Sequence, residues 1–164
     1  MDGEAHGPEE TQAPMKVFLA GIIQGSLVEP RIHNQDWRGP IKRALRRHLP
    51  KARVYCHYSE HPGSIAYELP DIRATLADGI RRAGRCDLLV AYVPAASMGT
   101  AIEMHEAARS GAVVLAITTL AANWVIRAYS DRVFPDVAAF EDFLAGDGLR
   151  ELLKRKRSRR RTRP

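Results

Sequence analysis

The sequence predicts a single doubly wound α/β domain built on a five-stranded, mostly parallel sheet in the order 2-1-3-4-5. Three observations lead there. Short apolar runs alternate with segments of helical periodicity along the chain, the pattern of strands joined by crossover helices. The runs KVFLAGII (16–23), DLLVAYVP (87–94) and AVVLAITTL (112–120) are apolar at successive positions, as in strands buried on both faces. Right-handed crossovers then reduce the topologies to an open sheet wound both ways from its first strand, the flavodoxin-like or Rossmann-like arrangement.

Each element follows from local signals. The first strand, 16–23, is stopped by Gly25. In DWRGPIKRALRRHLP, Trp37, Ile41, Leu45 and Leu49 recur at helical spacing, Asp36 stands where a cap is expected, and Pro50 ends the run. ARVYCHY (52–58) reads as the second strand. A loop with Pro62, Gly63 and Pro70 leads to a helix through Ile72, Leu76 and Ile80. After the third strand, ASMGTAIEMHEA (96–107) begins a helix reaching about Ser110, with Gly111 as its stop. The fourth strand is followed by a short helix in AANWVIRAYS, an edge strand in RVFPD and a last helix in VAAFEDFLAG.

The chain has 164 residues and a formal charge of +6, but eight of its 25 Lys and Arg lie in 154–163. Without that stretch 17 bases face 19 acids, a net of −2, so the basicity belongs to the tail and not to the fold. Residues 1–14 carry four acids, no base and two prolines, and are expected to form a disordered extension; Met15, which opens the first apolar run, is itself a candidate start. The domain is then 15–150, and 151–164 a basic, disordered tail that attracts nucleic acid only non-specifically. No run approaches a membrane span and no secretory leader opens the chain, which predicts a cytoplasmic protein without a membrane partner. Cys56 and Cys86 lack metal-site spacing and read as small core residues; no metal and no cofactor is expected.

In a sheet of this order ligands bind beyond the C-terminal ends of strands one and three. The loops there are GIIQGS (21–26) and PAASMGT (94–100). Gly21, Gly25 and Ser26 in the first, and Ser97 and Gly99 before a helix N-terminus in the second, form a candidate phosphate cradle. Neither the dinucleotide fingerprint nor the P-loop pattern is present. Glu103 follows Thr100 by three positions, so spacing alone fits both a capping box and a functional carboxylate. Asp71 and Asp78 precede strand three on a helix, where a solvated charge and a second site carboxylate are both admissible. Two carboxylates across a crevice would suit glycosyl chemistry.

The GII segment, the aspartate-bearing helix, CDLLVAYVP and SMGTAIEMHEA together resemble the nucleoside 2-deoxyribosyltransferase superfamily, which includes nucleoside 5′-monophosphate N-glycosidases. The likeness spans about residues 16–120, and its sharpest element is Ser97-x-Gly99-x-x-x-Glu103. It implies that Glu103 is a nucleophile attacking C1′ and that Asp78 manages the departing base, although Asp78 stands one residue farther from Asp87 than the family spacing. Ser97, where nucleoside transferases carry an acid, favours a 5′-phosphate over a 5′-hydroxyl. Phe18, where deoxyribose-acting members carry a tyrosine, either leaves room for a ribose 2′-hydroxyl or is plain core. The resemblance also implies a homo-oligomer, a dimer or larger, in which Asn123, Trp124 and Ser130 line a neighbour's pocket; a packing role for Trp124 is the alternative. His57, Tyr58, His61 and Tyr92 are candidates to stack on a base, and His105 reads as a surface or interface residue.

The expected function is hydrolysis of the base–sugar bond of a nucleoside 5′-monophosphate through a glycosyl-enzyme. A base-exchanging 2-deoxyribosyltransferase and a non-catalytic nucleotide-binding module are the alternatives.

Overall fold

A computed structural model describes residues 13–161, the last two by backbone alone. Five parallel strands form one sheet in the order β2-β1-β3-β4-β5: β1 Lys16–Gly21, β2 Arg53–Cys56, β3 Leu88–Tyr92, β4 Val113–Ile117 and β5 Arg132–Phe134. Seven helices accompany it among the described residues: α1 Arg38–His48, α2 His57–Glu60, α3 Leu69–Ala83, α4 Met98–Arg109, α5 Trp124–Tyr129, α6 Val137–Ala145 and α7 Gly148–Arg161. The doubly wound class, the order and the number of strands are those the sequence predicts.

The apolar runs are buried on both sides because successive side chains feed two cores. Val17, Leu19, Val90, Leu115 and Ile117 pack under α1, α6 and α7. Phe18, Leu89 and Val114 face α3, α4 and α5. On that second face Ala20, Ala91 and Ala116 are register partners across three strands. This row of small residues near the strand ends lets α4 settle close to the sheet, with Thr100, Met104 and Ala107 buried beneath it.

Several local expectations are corrected. Asp36 does not cap α1: its carboxylate accepts from the Asn34 side-chain amide at 2.8 Å, and Trp37 stands at the cap position. β2 stops at Cys56, and the chain turns at once into α2, so His57 and Tyr58 leave the strand and swing toward the sheet's end. Pro70 falls within the first turn of α3, where its missing N–H costs nothing.

The disordered tail expected from 151 is also corrected. Over its described residues it is helix α7, Gly148–Arg161, while 162–164 lie outside the described residues. Leu149 and Leu152 are buried and Leu153 packs against the same core. That i, i+3, i+4 spacing anchors the helix despite its charge. Lys156 bonds Asp131 at 3.0 Å, and Asp131 in turn accepts from the Val114 N–H at 2.9 Å, tying α7 to the sheet. Residues 1–12, most of the predicted extension, lie outside the described residues. No described helix is long and apolar enough to cross a membrane.

Candidate active site

The C-terminal ends of β1 and β3 open into a cavity of about 330 Å³. Its floor is Glu103, on the flank of α4 that faces α3. A β-carbon placed on Gly79 of α3 would lie 3.4 Å from Glu103 Oε1 and 3.5 Å from His57 Nδ1, so these two groups meet over one backbone position. Among the described residues the Glu103 carboxylate accepts no hydrogen bond. Helix α4 starts three residues earlier than a capping box at Thr100 requires. Its cap is Ser97, whose hydroxyl lies 2.9 Å from Thr100 Oγ1 and accepts from the Thr100 N–H at 3.5 Å. Glu103 is therefore released from any capping task and turned into the cavity.

Burial pushes the Glu103 carboxyl up to about 8 from an ordinary 4.5, against the pull of the Arg38 charge. Arg38 is a cation the sequence does not single out, since it stands in a run of basic residues on an amphipathic helix. It is only 5% exposed. Its guanidinium lies 4.1 Å from the Trp37 ring centre, donates to Gln35 Oε1 at 2.7 Å and approaches Cys56 Sγ at 3.3 Å. Burial lowers its pKa, with Cys56 and Glu103 acting in the opposite sense. Gln35 continues the brace by donating to the Ile22 and His33 carbonyls at 3.0 and 2.8 Å, which fixes the loop after β1. Gly21 is required there: a β-carbon would sit 2.3 Å from Trp37 Cη2 and 2.9 Å from the Tyr92 carbonyl oxygen.

The rim divides by chemistry. On one side stand the Gly21 and Gly25 backbone and the first turn of α4, with Ser97, Gly99 and Thr100. Thr100 N–H is taken by the Ser97 side chain and Ala101 N–H by the Ser97 carbonyl. The Met98 and Gly99 N–H groups then remain at the positive end of the helix, with nothing within 4 Å of a β-carbon on Gly99. On the other side Ile65, Ile72 and Leu76 are exposed into the opening and form an apolar wall. Between them His57 lies 3.5 Å from the Tyr55 hydroxyl, and His61 Nδ1 lies 3.1 Å from the Tyr67 hydroxyl. Burial, then His61 and Arg38, hold the His57 imidazole below its usual pKa.

Of the residues singled out from sequence, the structure brings together Glu103, Gly21, Gly25, Ser97 and Gly99. It does not bring Asp78 to them. Asp78 faces the other side of α3, bonded to Arg82 at 2.6 Å and to Arg81, and the next residue, Gly79, occupies the place beside Glu103. Phe18 is 1% exposed and packs on Tyr55 at 5.1 Å, away from Glu103. Ser26 is exposed outside the cavity lining. Tyr92 stacks under Trp37 at 4.6 Å, unavailable to a base. Asn123 caps α5 through the Val125 N–H at 2.9 Å and borders a small cavity shared with Ser97 and Met98. Trp124 beside it is 86% exposed. Missed from sequence were Arg38, Tyr67 and Gly79, while His57 emerges as the imidazole beside the carboxylate. Among the described residues no cluster of ligating side chains could hold a metal ion.

No family model matches the chain, and no curated protein matches it in sequence. Solved structures share its fold. A conserved protein from Enterococcus faecalis V583 is 18% identical over 81% of this chain and 98% of its own, with a TM-score of 0.56. A 2-deoxyribosyltransferase from the psychrotolerant bacterium Bacillus psychrosaccharolyticus is 14% identical over 77% of this chain and 90% of its own, with a TM-score of 0.58. The Clostridium botulinum CMP N-glycosidase BcmB is 18% identical over 79% of this chain and 98% of its own, with a TM-score of 0.48.

Proposed function

We infer that this protein is an enzyme that hydrolyses the N-glycosidic bond of a nucleoside 5′-monophosphate. The observation that carries this reading is Glu103: a carboxylate without a hydrogen-bond partner among the described residues, at the floor of a cavity whose rim offers backbone N–H groups on one side and an apolar wall on the other. Such a cavity suits a ligand with a phosphate at one end and a flat base at the other. The fold shared with a 2-deoxyribosyltransferase supports this reading.

The ionised Glu103 attacks C1′, forming a C1′–O bond as the C1′–N bond breaks and its electron pair leaves with the base. Because Asp78 points away, the group placed to handle protons is His57. Held neutral by burial, it is suited to take a proton from the water that attacks C1′ of the glycosyl ester, releasing Glu103 and the sugar phosphate. The phosphate rests on the Met98 and Gly99 N–H groups and the Gly25 turn, with the Ser97 hydroxyl within the same rim. Ile72, Leu76 and Ile65 cover a base face.

The exposed Met98, Ile102 and Trp124 on α4 and α5 fit burial against a second copy of the chain, which would close the open rim near Met98. Sedimentation of wild type against Trp124→Ala tests it; a wild-type monomer at every concentration would refute it.

The test of function is chromatographic detection of released base from a panel of nucleosides and 5′-monophosphates, with and without an acceptor base. Release from monophosphates alone, lost in Glu103→Gln, supports the hydrolase. New nucleosides formed only with acceptor would show a transferase, and tight binding without turnover a binding module.

A further inference from the structure

Behind α3 lies a second cavity, larger than the first at about 540 Å³ and within the range of small-molecule sites. Its floor is ordered by strand register. Lys16 pairs with Arg53 and, two residues on, Phe18 pairs with Tyr55, so a row of two cations runs beside a row of two rings on one face of β1 and β2. Arg82 lies with its guanidinium 4.5 Å from the Tyr55 ring centre, and Arg85, just past the end of α3, lines the same cavity. Asp78 is taken up by Arg81 and Arg82. Lys16, Arg53 and Arg85 make no side-chain ion pair among the described residues, and the lining carries five basic groups against two acidic ones, Asp78 and Glu60. A surface that needed only to be soluble would pair or disperse such charges; here they converge on aromatic rings.

We propose that this cavity is a second binding site, separate from the Glu103 cavity, for an organic anion that joins a phosphate to a planar ring, as a nucleotide does. The phosphate binds between Lys16, Arg53 and Arg85 through charge-assisted hydrogen bonds. The ring lies against Tyr55, whose own support is the buried Phe18, in the layer where the Arg82 guanidinium already stacks. The site does not depend on the reading given for Glu103, since it shares neither the carboxylate nor the α4 helix start.

Isothermal titration of the Glu103→Gln protein with AMP, GMP, CMP and UMP, and separately with inorganic phosphate, tests it. The expected result is one binding event per chain whose affinity falls about tenfold or more in Arg53→Ala/Arg85→Ala, falls with added salt, and is largely kept in Arg53→Lys/Arg85→Lys. Both arginines are exposed, so circular dichroism should show these variants folded as the parent. A further event insensitive to them reports the Glu103 cavity, and its absence would count against the proposed function alone. No arginine-dependent event with any nucleotide overturns the second site. Inorganic phosphate binding as tightly as the nucleotides overturns the part played by the rings.

Discussion

Replacing Glu103 by Gln should make the protein more stable at alkaline pH, and the size of the effect follows from the carboxyl's setting. In the folded protein burial raises this group from 4.5 to about 8. Between those values the folded chain holds a proton that the unfolded chain gives up. Stability must therefore fall as pH rises through that window. At about 1.4 kcal/mol for each tenfold in the proton equilibrium, the gap corresponds to at most about 5 kcal/mol. Because the side chain is only half-buried and lines an open cavity, screening reduces this to roughly 2 kcal/mol. Gln has nearly the same shape and cannot ionise. Urea unfolding of both proteins from pH 4 to pH 9 should give curves that coincide at the acid end and separate steadily above pH 5, with the variant more stable at pH 9. Parallel curves over the whole range would show that Glu103 ionises in the folded protein as it does in the unfolded chain, and would refute the effect of burial.

The same group sets the rate: base release should climb with pH to a plateau above about 8, because only the carboxylate attacks, and a rate that falls over that range would exclude it as the nucleophile. Gly79→Asp should move this rising limb to higher pH, since a second carboxylate beside Glu103 disfavours its ionisation; an unmoved limb in a folded variant would contradict the 3.4 Å approach. Gly21→Ala should cost roughly 1–3 kcal/mol in thermal or urea unfolding, as Trp37 and the Tyr92 carbonyl must move to admit the methyl group. Leu152→Ala should cost roughly 2–4 kcal/mol and lower the helical signal in circular dichroism; an unchanged unfolding midpoint would mean that α7 does not rest on the core.

The sheet was legible because its strands are buried twice over, leaving continuous apolar runs that no surface element produces. The turn of the chain at Cys56 was not, since His57 and Tyr58 suit an edge strand as well as a short helix, and only the position of α3 decides between them. The tail was misread because eight bases in 154–163 mask the spacing of Leu149, Leu152 and Leu153, which precede most of that charge. That Glu103 and the helix start before it border one cavity was readable from their place after β3. Asp78 was not, for a rotational reason: successive residues on a helix point about 100° apart, and one position of offset carries the carboxylate around α3 to Arg81 and Arg82. Arg38 was hidden by company, one arginine among several, distinguished only by facing inward.

The glycine beside Glu103 also has a meaning for how this protein can change over generations. One base substitution in the second position of a glycine codon writes Asp or Glu, and the surrounding atoms leave a β-carbon at Gly79 in ordinary contact distance. The acid–base character of the cavity thus lies a single mutational step from an alternative, without any need to rebuild the helix that carries it.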